Sequence, residues 1–439
     1  VSKKRIRLAA YLLSGPTSHH HGMWRHPETD NGFLDPDYYE HVARVLERGC
    51  FDGLFFADIL ALTDFYKGSY ATVLSRGGQM GMLDPIPLLS IMARVTRHIG
   101  LAATISTSFT KAFGLARTLA TLDTISHGRA AWNVVTTASR TQHRNYGVDD
   151  TSFPPAQTRY DQADEVLEAC CKLWDSWEPD ALIVDKATGV FADASKVHRV
   201  NYAGQWVKSQ GPLTVPRSPQ GRPVIMQAGS SPRGRDFGAK WGEIIFTLQH
   251  GKADMQEYRA DMRDRAARFG RNPDDCRILV SVDPIIGETR AIAEAKRDYI
   301  NDLVDPELGL ALVSAHTGTD FSRYPLDQKL TDIQITEGSR GSLDVILQGT
   351  SSAGMTLGEV AKHFATSELC PQLVGTPVDI ADQMQDFFES GACDGFVLTP
   401  TVFPATFEQF ARSVVPELQY RGLFRTEYTG KTFRENLQD

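Results

Sequence analysis

The sequence predicts an α/β fold, and three observations carry the prediction. Eight short apolar runs have strand character, one-sided helical patterns stand between them, and small polar residues collect where several runs end. Eight strands with intervening helices fit a (β/α)8 TIM barrel with long insertions at the carboxyl face of the strands. A doubly wound open sheet is the alternative, because the sequence shows alternation but not closure.

The first run covers residues 6–13 and leads into a loop that holds His19, His20 and His21. Asp35 then reads as an N-cap with Pro36 in the first helical position, and Gly49 ends the helix. Between them Tyr38, Tyr39, Val42, Val45 and Leu46 keep the 3.6-residue period. Residues 51–57 form the second strand and complete a strand–helix–strand unit. The order repeats with a strand over 99–106, a helix over 112–126 and a strand over 130–135. A helix over about 160–177 follows, with Ala163, Val166, Leu167, Cys170, Leu173, Trp174 and Trp177 on one face. Later strands fall at 224–228, 243–247, 277–284 and 395–400, and helices at about 232–241, 253–270, 289–303 and 405–418.

Three stretches break this rhythm. Residues 61–90 read as a Gly-rich loop, 178–222 as an irregular excursion, and 305–375 as the longest insertion. The last contains a helix opened by the capping box Thr356-x-x-Glu359. Long excursions at the carboxyl face of a barrel cover the site, so 305–375 is expected to act as a lid. The 439 residues exceed the ~250 of a bare barrel, and the whole of 1–439 reads as one barrel domain carrying these insertions.

Composition excludes several function classes. The net charge is −8, and Lys3-Lys4-Arg5 is the longest basic run, which argues against a nucleic-acid platform. No apolar segment approaches the ~18 residues of a membrane span, and no leader pattern precedes Ile6. The six cysteines are scattered without a C-x-x-C pair, which points to a reducing, cytoplasmic setting. Neither G-x-G-x-x-G nor G-x-x-x-x-G-K-[ST] occurs, so a Rossmann dinucleotide site or an NTPase is unsupported.

The candidate site residues lie at predicted strand ends. Asp58 follows the second strand, Thr104 and Ser106 end the third, and Asn133 and Thr136 end the fourth. Strand ends converge at the mouth of a barrel, where such side chains surround one ligand. Gly229, Ser230 and Ser231 stand between a strand and a helix beginning near Pro232. That turn offers backbone N–H groups and two hydroxyls to a phosphate; an ordinary N-cap serine is the competing reading. Phe56 and Phe246 either wall an apolar pocket or pack the core. His19, His20 and His21 have no acidic or Cys companion at ligand spacing, so no metal site is expected.

The stretch Ser126-His127-Gly128-Arg129-Ala130-Ala131-Trp132-Asn133-Val134-Val135-Thr136-Thr137 resembles the strand signature of bacterial-luciferase-like flavin monooxygenases. More narrowly, the chain is similar to the nitrilotriacetate and dibenzothiophene sulfone monooxygenase branch. The likeness continues through His21-Gly22-Met23-Trp24-Arg25-His26, Phe55-Phe56-Ala57-Asp58, Arg159-Tyr160-Asp161, Gln227-Ala228-Gly229-Ser230-Ser231-Pro232, Ser314-Ala315-His316-Thr317-Gly318 and Phe424-Arg425-Thr426-Glu427-Tyr428. Any one of these is weak; six in order at family-like spacing are strong.

The resemblance implies a closed barrel and the FMNH2-utilising half of a two-component monooxygenase. A separate NADH:FMN reductase would supply the reduced FMN, and the protein would shield a flavin peroxide from water while O2 oxygenates a small organic substrate. It implies contacts to the flavin ring and ribityl chain from Asp58, Thr104 and Asn133, and places Tyr160 near the phosphate. The family often has His four residues before that Tyr; here Ala156 stands there, so either flavin binding is weaker or His143 or Arg159 serves instead. It sets His19, His21 and His316 on the substrate side as catalytic candidates for proton handling. A homo-oligomer, dimer or tetramer, is also implied. An aromatic-lined pocket with few cations favours an apolar organosulfur, aromatic or haloaromatic substrate. An aminopolycarboxylate monooxygenase, a deazaflavin-dependent oxidoreductase and a non-catalytic flavin-binding protein are the alternatives.

Overall fold

The computed structural model describes residues 5–333 and 354–439. Eight parallel strands close into a barrel: β1 (Arg7–Leu13), β2 (Gly53–Ala57), β3 (Gly100–Ser106), β4 (Ala130–Val135), β5 (Val224–Gln227), β6 (Ile244–Thr247), β7 (Arg277–Ile286) and β8 (Gly395–Leu398). They run β1 to β6 in order, β6 pairs with β7, β7 with β8, and β8 returns to β1. Closure decides between the two expected architectures in favour of the barrel.

Strand alternation sorts the side chains. Ala9, Tyr11, Phe55, Ala102, Ala131, Met226, Phe246, Leu279 and Val397 fill the barrel interior. Their neighbours Leu8, Ala10, Leu54, Phe56, Leu101 and Phe396 pack outward against the helices. Of the two readings of Phe56, core packing is the one found: it is fully buried in this outer layer, 5.8 Å from Tyr39, and Phe55 holds the inward place. A one-residue error in strand phase reverses a side chain completely.

The helices begin where local chemistry dictates. Asp35 accepts from Asp37 N and opens Pro36–Arg48; Asp84 accepts from Ile86 N and opens Pro85–Val95. The second of these corrects the expected loop over 61–90: it uses the same Asp-Pro start but follows a Gly-rich stretch. Two more corrections concern boundaries. The helix expected from about 160 is Ala156–Trp174, and His316 stands in the last turn of the helix Pro306–Thr317 rather than in a loop. The Thr356 and Glu359 capping box is formed, opening Leu357–Ser367, whereas part of the expected 305–375 lid lies outside the described residues.

Arg129, inside the signature stretch, is structural. Its guanidinium donates to the carbonyls of Ala93, Thr96, Ile99 and Ser126 and is fully buried, so it staples the helix Pro85–Val95 to the start of β4. The amino-terminal end of the barrel is stoppered by the last helix, Phe433–Gln438, whose Phe433 and Leu437 join the interior cluster. A Cβ at Gly100 would sit 2.6 Å from the Phe433 ring, so that strand position has no room for a side chain. Among the described residues, no helix is long and apolar enough to cross a membrane.

Candidate active site

At the carboxyl mouth the polar residues of β2, β3 and β4 meet. Asn133 donates through Nδ2 to Thr104 Oγ1 (2.8 Å), and Thr104 donates to the Phe56 carbonyl (2.6 Å). Thr137 donates to the Ser106 hydroxyl (2.7 Å), and Ser108 donates to the Thr136 carbonyl (2.9 Å). Asp58 lies at the end of this row and faces two cavities of about 220 and 330 Å³. Burial, reinforced by Asp84, pushes its carboxyl up to about 7. A larger cavity of about 580 Å³ lies at the opposite end of the barrel, beside Trp174 and Glu243, far from these groups.

A second polar patch follows β5. Ser231 accepts from Gly234 N (3.1 Å) as the N-cap of Pro232–Trp241, so the N-cap reading of that serine holds. Gly229 and Gly234 approach so closely that a Cβ on Gly229 would meet Gly234 Cα at 2.8 Å. Tyr160 is packed against this turn: burial raises its phenol, opposed by hydrogen bonding with Thr136 and Ser231. Arg159 and His143 both pack on Phe153, at 4.8 and 4.7 Å.

The histidines form a third group. His19 lies 4.3 Å from the Tyr11 ring and 6.3 Å from Phe246, and Phe246 lies 5.3 Å from Phe55, which gives an aromatic wall inside the mouth. His21 Nε2 is 3.3 Å from Glu368 Oε1, and His19 Nε2 is 3.7 Å from Glu368 Oε2. His316 packs edge-on to Phe364 (4.9 Å) within the field of the same carboxylate. His20 is set apart: its ring nitrogens meet Asn301 Oδ1 and Gly22 N, and burial depresses it to about 3. The structure therefore brings His19, His21 and His316 together.

It also brings in residues that the sequence did not single out. Glu368, Gln79 and Tyr11 complete the histidine group, and Gln79 donates to Glu368 Oε1 at 2.7 Å. One signal was present for Glu368. An acidic residue at the C-terminal end of a helix opposes the helix dipole and needs a local reason.

Unsatisfied buried atoms test whether a flavin mononucleotide suits this mouth. Asn133 Oδ1, Arg159 Nε and His143 Nδ1 are buried without a hydrogen-bond partner among the described residues. Buried polar atoms normally have partners. One acceptor on β4, and an arginine and a histidine nitrogen that share the Phe153 ring as neighbour, match a ring N–H and an anion such as a phosphate, so the residues present fit the group.

A closed parallel barrel with its polar groups gathered at the carboxyl mouth defines an enzyme of the TIM-barrel class. Residues 15–394 match the luciferase-like monooxygenase family. The chain is 44% identical over 440 residues to dibenzothiophene-sulfone monooxygenase of Rhodococcus erythropolis strain XP, covering 99% of this chain and 97% of that one. It is 36% identical over 427 residues to component A of nitrilotriacetate monooxygenase of Aminobacter aminovorans, covering 95% and 93%. Among solved structures, riboflavin lyase with modified FMN and riboflavin superposes with a TM-score of 0.90 at 32% identity, over 99% of this chain and 96% of that one. The chain belongs to the luciferase-like monooxygenase family, in the branch its motifs indicated, and is a monooxygenase.

Proposed function

We propose that this chain is the oxygenase of a two-component system. It takes up FMNH2 made by a separate NADH:FMN reductase and uses O2 to place one oxygen atom in an apolar organosulfur compound, with aromatic and haloaromatic compounds as the next class. The observation that carries the substrate class is the charge of the mouth. The two cavities beside Asp58 are lined by no Lys or Arg among the described residues, Phe109 and Tyr146 line the smaller one, and Tyr11, Phe55 and Phe246 pack the barrel interior. An aminopolycarboxylate would require several paired cations there. The sulfone relative supports this reading, and the riboflavin lyase supports the flavin.

Asp58, Thr104, Ser106, Asn133 and Thr136 would hold the ring and ribityl chain, and Gly229, Ser230, Ser231 and Tyr160 the phosphate. Arg159 and His143 stand in for the donor lost at Ala156. When bound, the flavin supplies the electrons that activate O2. The protein's part is to exclude water and manage protons. The helices Pro306–Thr317 and Leu357–Ser367 cover the histidines, and His19, His21 and His316 handle protons beside the substrate. The six cysteines stand as free thiols, which supports a reducing cytoplasm, and the reading extends to a homo-oligomer.

The test supplies chemically reduced FMN and ¹⁸O2 with a panel of a sulfone, a sulfide, a haloaromatic and nitrilotriacetate. One ¹⁸O atom is expected in a sulfur-compound product. Product from nitrilotriacetate alone overturns the substrate class. Substrate-dependent NADH oxidation by the protein and FMN without a reductase defeats the two-component reading.

A further inference from the structure

Glu368 is the buried charged group that this reading leaves unused. It follows the helix Leu357–Ser367 in the left-handed conformation (φ 47°), and Leu369 after it is also left-handed (φ 68°). Two consecutive non-glycine residues there are strained. The turn carries the Glu368 carboxylate to its partners on four other segments, and the residue is only 3% exposed. Its surroundings are His19 and His21 from the loop after β1, Gln79 from the loop after β2, His316 from the helix Pro306–Thr317 and Tyr11 from β1. Asp283 of β7 and Cys370 lie beyond, and burial pushes both the carboxyl and the thiol up.

Among the described residues, its ion-pair partners are His19 and His21, with no Lys or Arg. A buried carboxylate without a counter-charge is strongly disfavoured, so a proton on the neighbouring imidazoles is the arrangement that avoids this cost. Burial works to raise Glu368, but His19, His21 and His316 outweigh it and hold it down at about 2. Burial depresses both His19 and His316. His19 Nδ1 is also shared with Ser281 Oγ and Cys370 Sγ. Of the histidines paired with the carboxylate His21 has the shorter contact, and among the described residues its buried Nδ1 has no partner.

We propose that Glu368 is a positioning residue that holds His21 as an imidazolium, with Nε2–H on the carboxylate and Nδ1–H left free as the donor to oxygen. The logic is that of a carboxylate orienting a catalytic imidazole. Overall, reduced cofactor, O2 and substrate give oxidised cofactor, oxygenated substrate and water. Two electrons come from the reduced cofactor and two from the substrate, one oxygen atom enters the substrate, and the other leaves as water. The imidazolium lends that oxygen one proton and regains one from the two the cofactor releases, so it is restored each turnover.

The use of the proton rests on the oxygenase reading; the charge state does not. The full chain, ¹⁵N-labelled at histidine, is titrated by NMR without flavin, with His19→Gln, His21→Gln and His316→Gln assigning the signals. An imidazolium at His21 is expected at pH 7.5, lost in Glu368→Gln and retained in Glu368→Asp. A neutral His21 in the unmodified protein, or an imidazolium that persists in Glu368→Gln, overturns the proposal, and the first of these needs no variant to fold. With reduced FMN and a turned-over substrate, Glu368→Gln is expected to lose product at least ~10-fold, within the range of general acid catalysis. Its alkaline limb should move to lower pH, because the charge that retains the proton is gone. An equal loss at every pH marks a merely structural role and also overturns it. If the unmodified protein oxygenates nothing in the panel, the oxygenase substrate reading fails while the NMR result stands.

Discussion

Asp58, Ser230, Ser231 and His316 each make a different demand on the surrounding chain. Folding raises the Asp58 carboxyl to about 7, so the folded state is favoured while it is protonated. That contribution is full below the unfolded value near 3.8 and is lost as pH rises through 7. Asp58→Asn should therefore gain stability on the unmodified protein as pH rises from 5 to 8, by on the order of 1–2 kcal/mol once partial exposure is discounted. Melting curves across that range check it, and a gap that does not change with pH refutes it. At the turn proposed to hold the phosphate, changing Ser230 and Ser231 together to Ala should weaken FMN by ~1–3 kcal/mol in a fluorescence titration. Ser231→Ala alone should also cost about 1 kcal/mol of stability, because Ser231 caps the helix; Ser230→Ala should not. For His316, Ala should lose product ~10²-fold with little change in FMN binding. His316→Phe keeps the ring bulk: activity near that of His means shielding, and a loss matching Ala means proton handling.

The two helices over the histidines touch at one glycine. A Cβ on Gly309 would lie 2.4 Å from the Ala361 carbonyl oxygen, so Gly309→Ala must push Pro306–Thr317 away from Leu357–Ser367. Overpacking of this kind costs ~1–3 kcal/mol. The expected result is less product and more H2O2 with FMN affinity intact; an unchanged product-to-peroxide ratio would mean that the helix pair plays no part in exclusion. Elements like these were legible when their signals were local. Asp35-Pro36 and Thr356-x-x-Glu359 carry the chemistry of a helix start within four residues. Phe55 and Phe56 were not separable, because both are apolar and only the phase of the strand distinguishes interior from exterior. The strand-end row of Asp58, Thr104 and Asn133 follows from barrel geometry once the strands are known. Glu368 does not: its partner His21 is 347 positions away, and no spacing rule links them.

At the scale of the molecule, the barrel is held from below as well as around its circumference. Asp52 accepts from Leu8 N (2.7 Å) and pairs with Arg425, while Arg7 lies 3.5 Å away, a buried ionic knot that ties β1 and β2 to the C-terminal segment. Phe433 fills the space above it, against Gly53 and Gly100. Phe433→Ala should cost ~3–5 kcal/mol of stability, read in a thermal melt, since eight surrounding strands are poorly able to collapse onto the void. A shift of a degree or less would mean the ring adds nothing to the barrel. The stopper has a consequence for traffic. The interior is packed with side chains and its amino-terminal end is stoppered, so under the proposed function whatever enters or leaves the site does so from the carboxyl mouth. Whatever leaves last sets the pace, and a departing molecule that lingers blocks its own replacement.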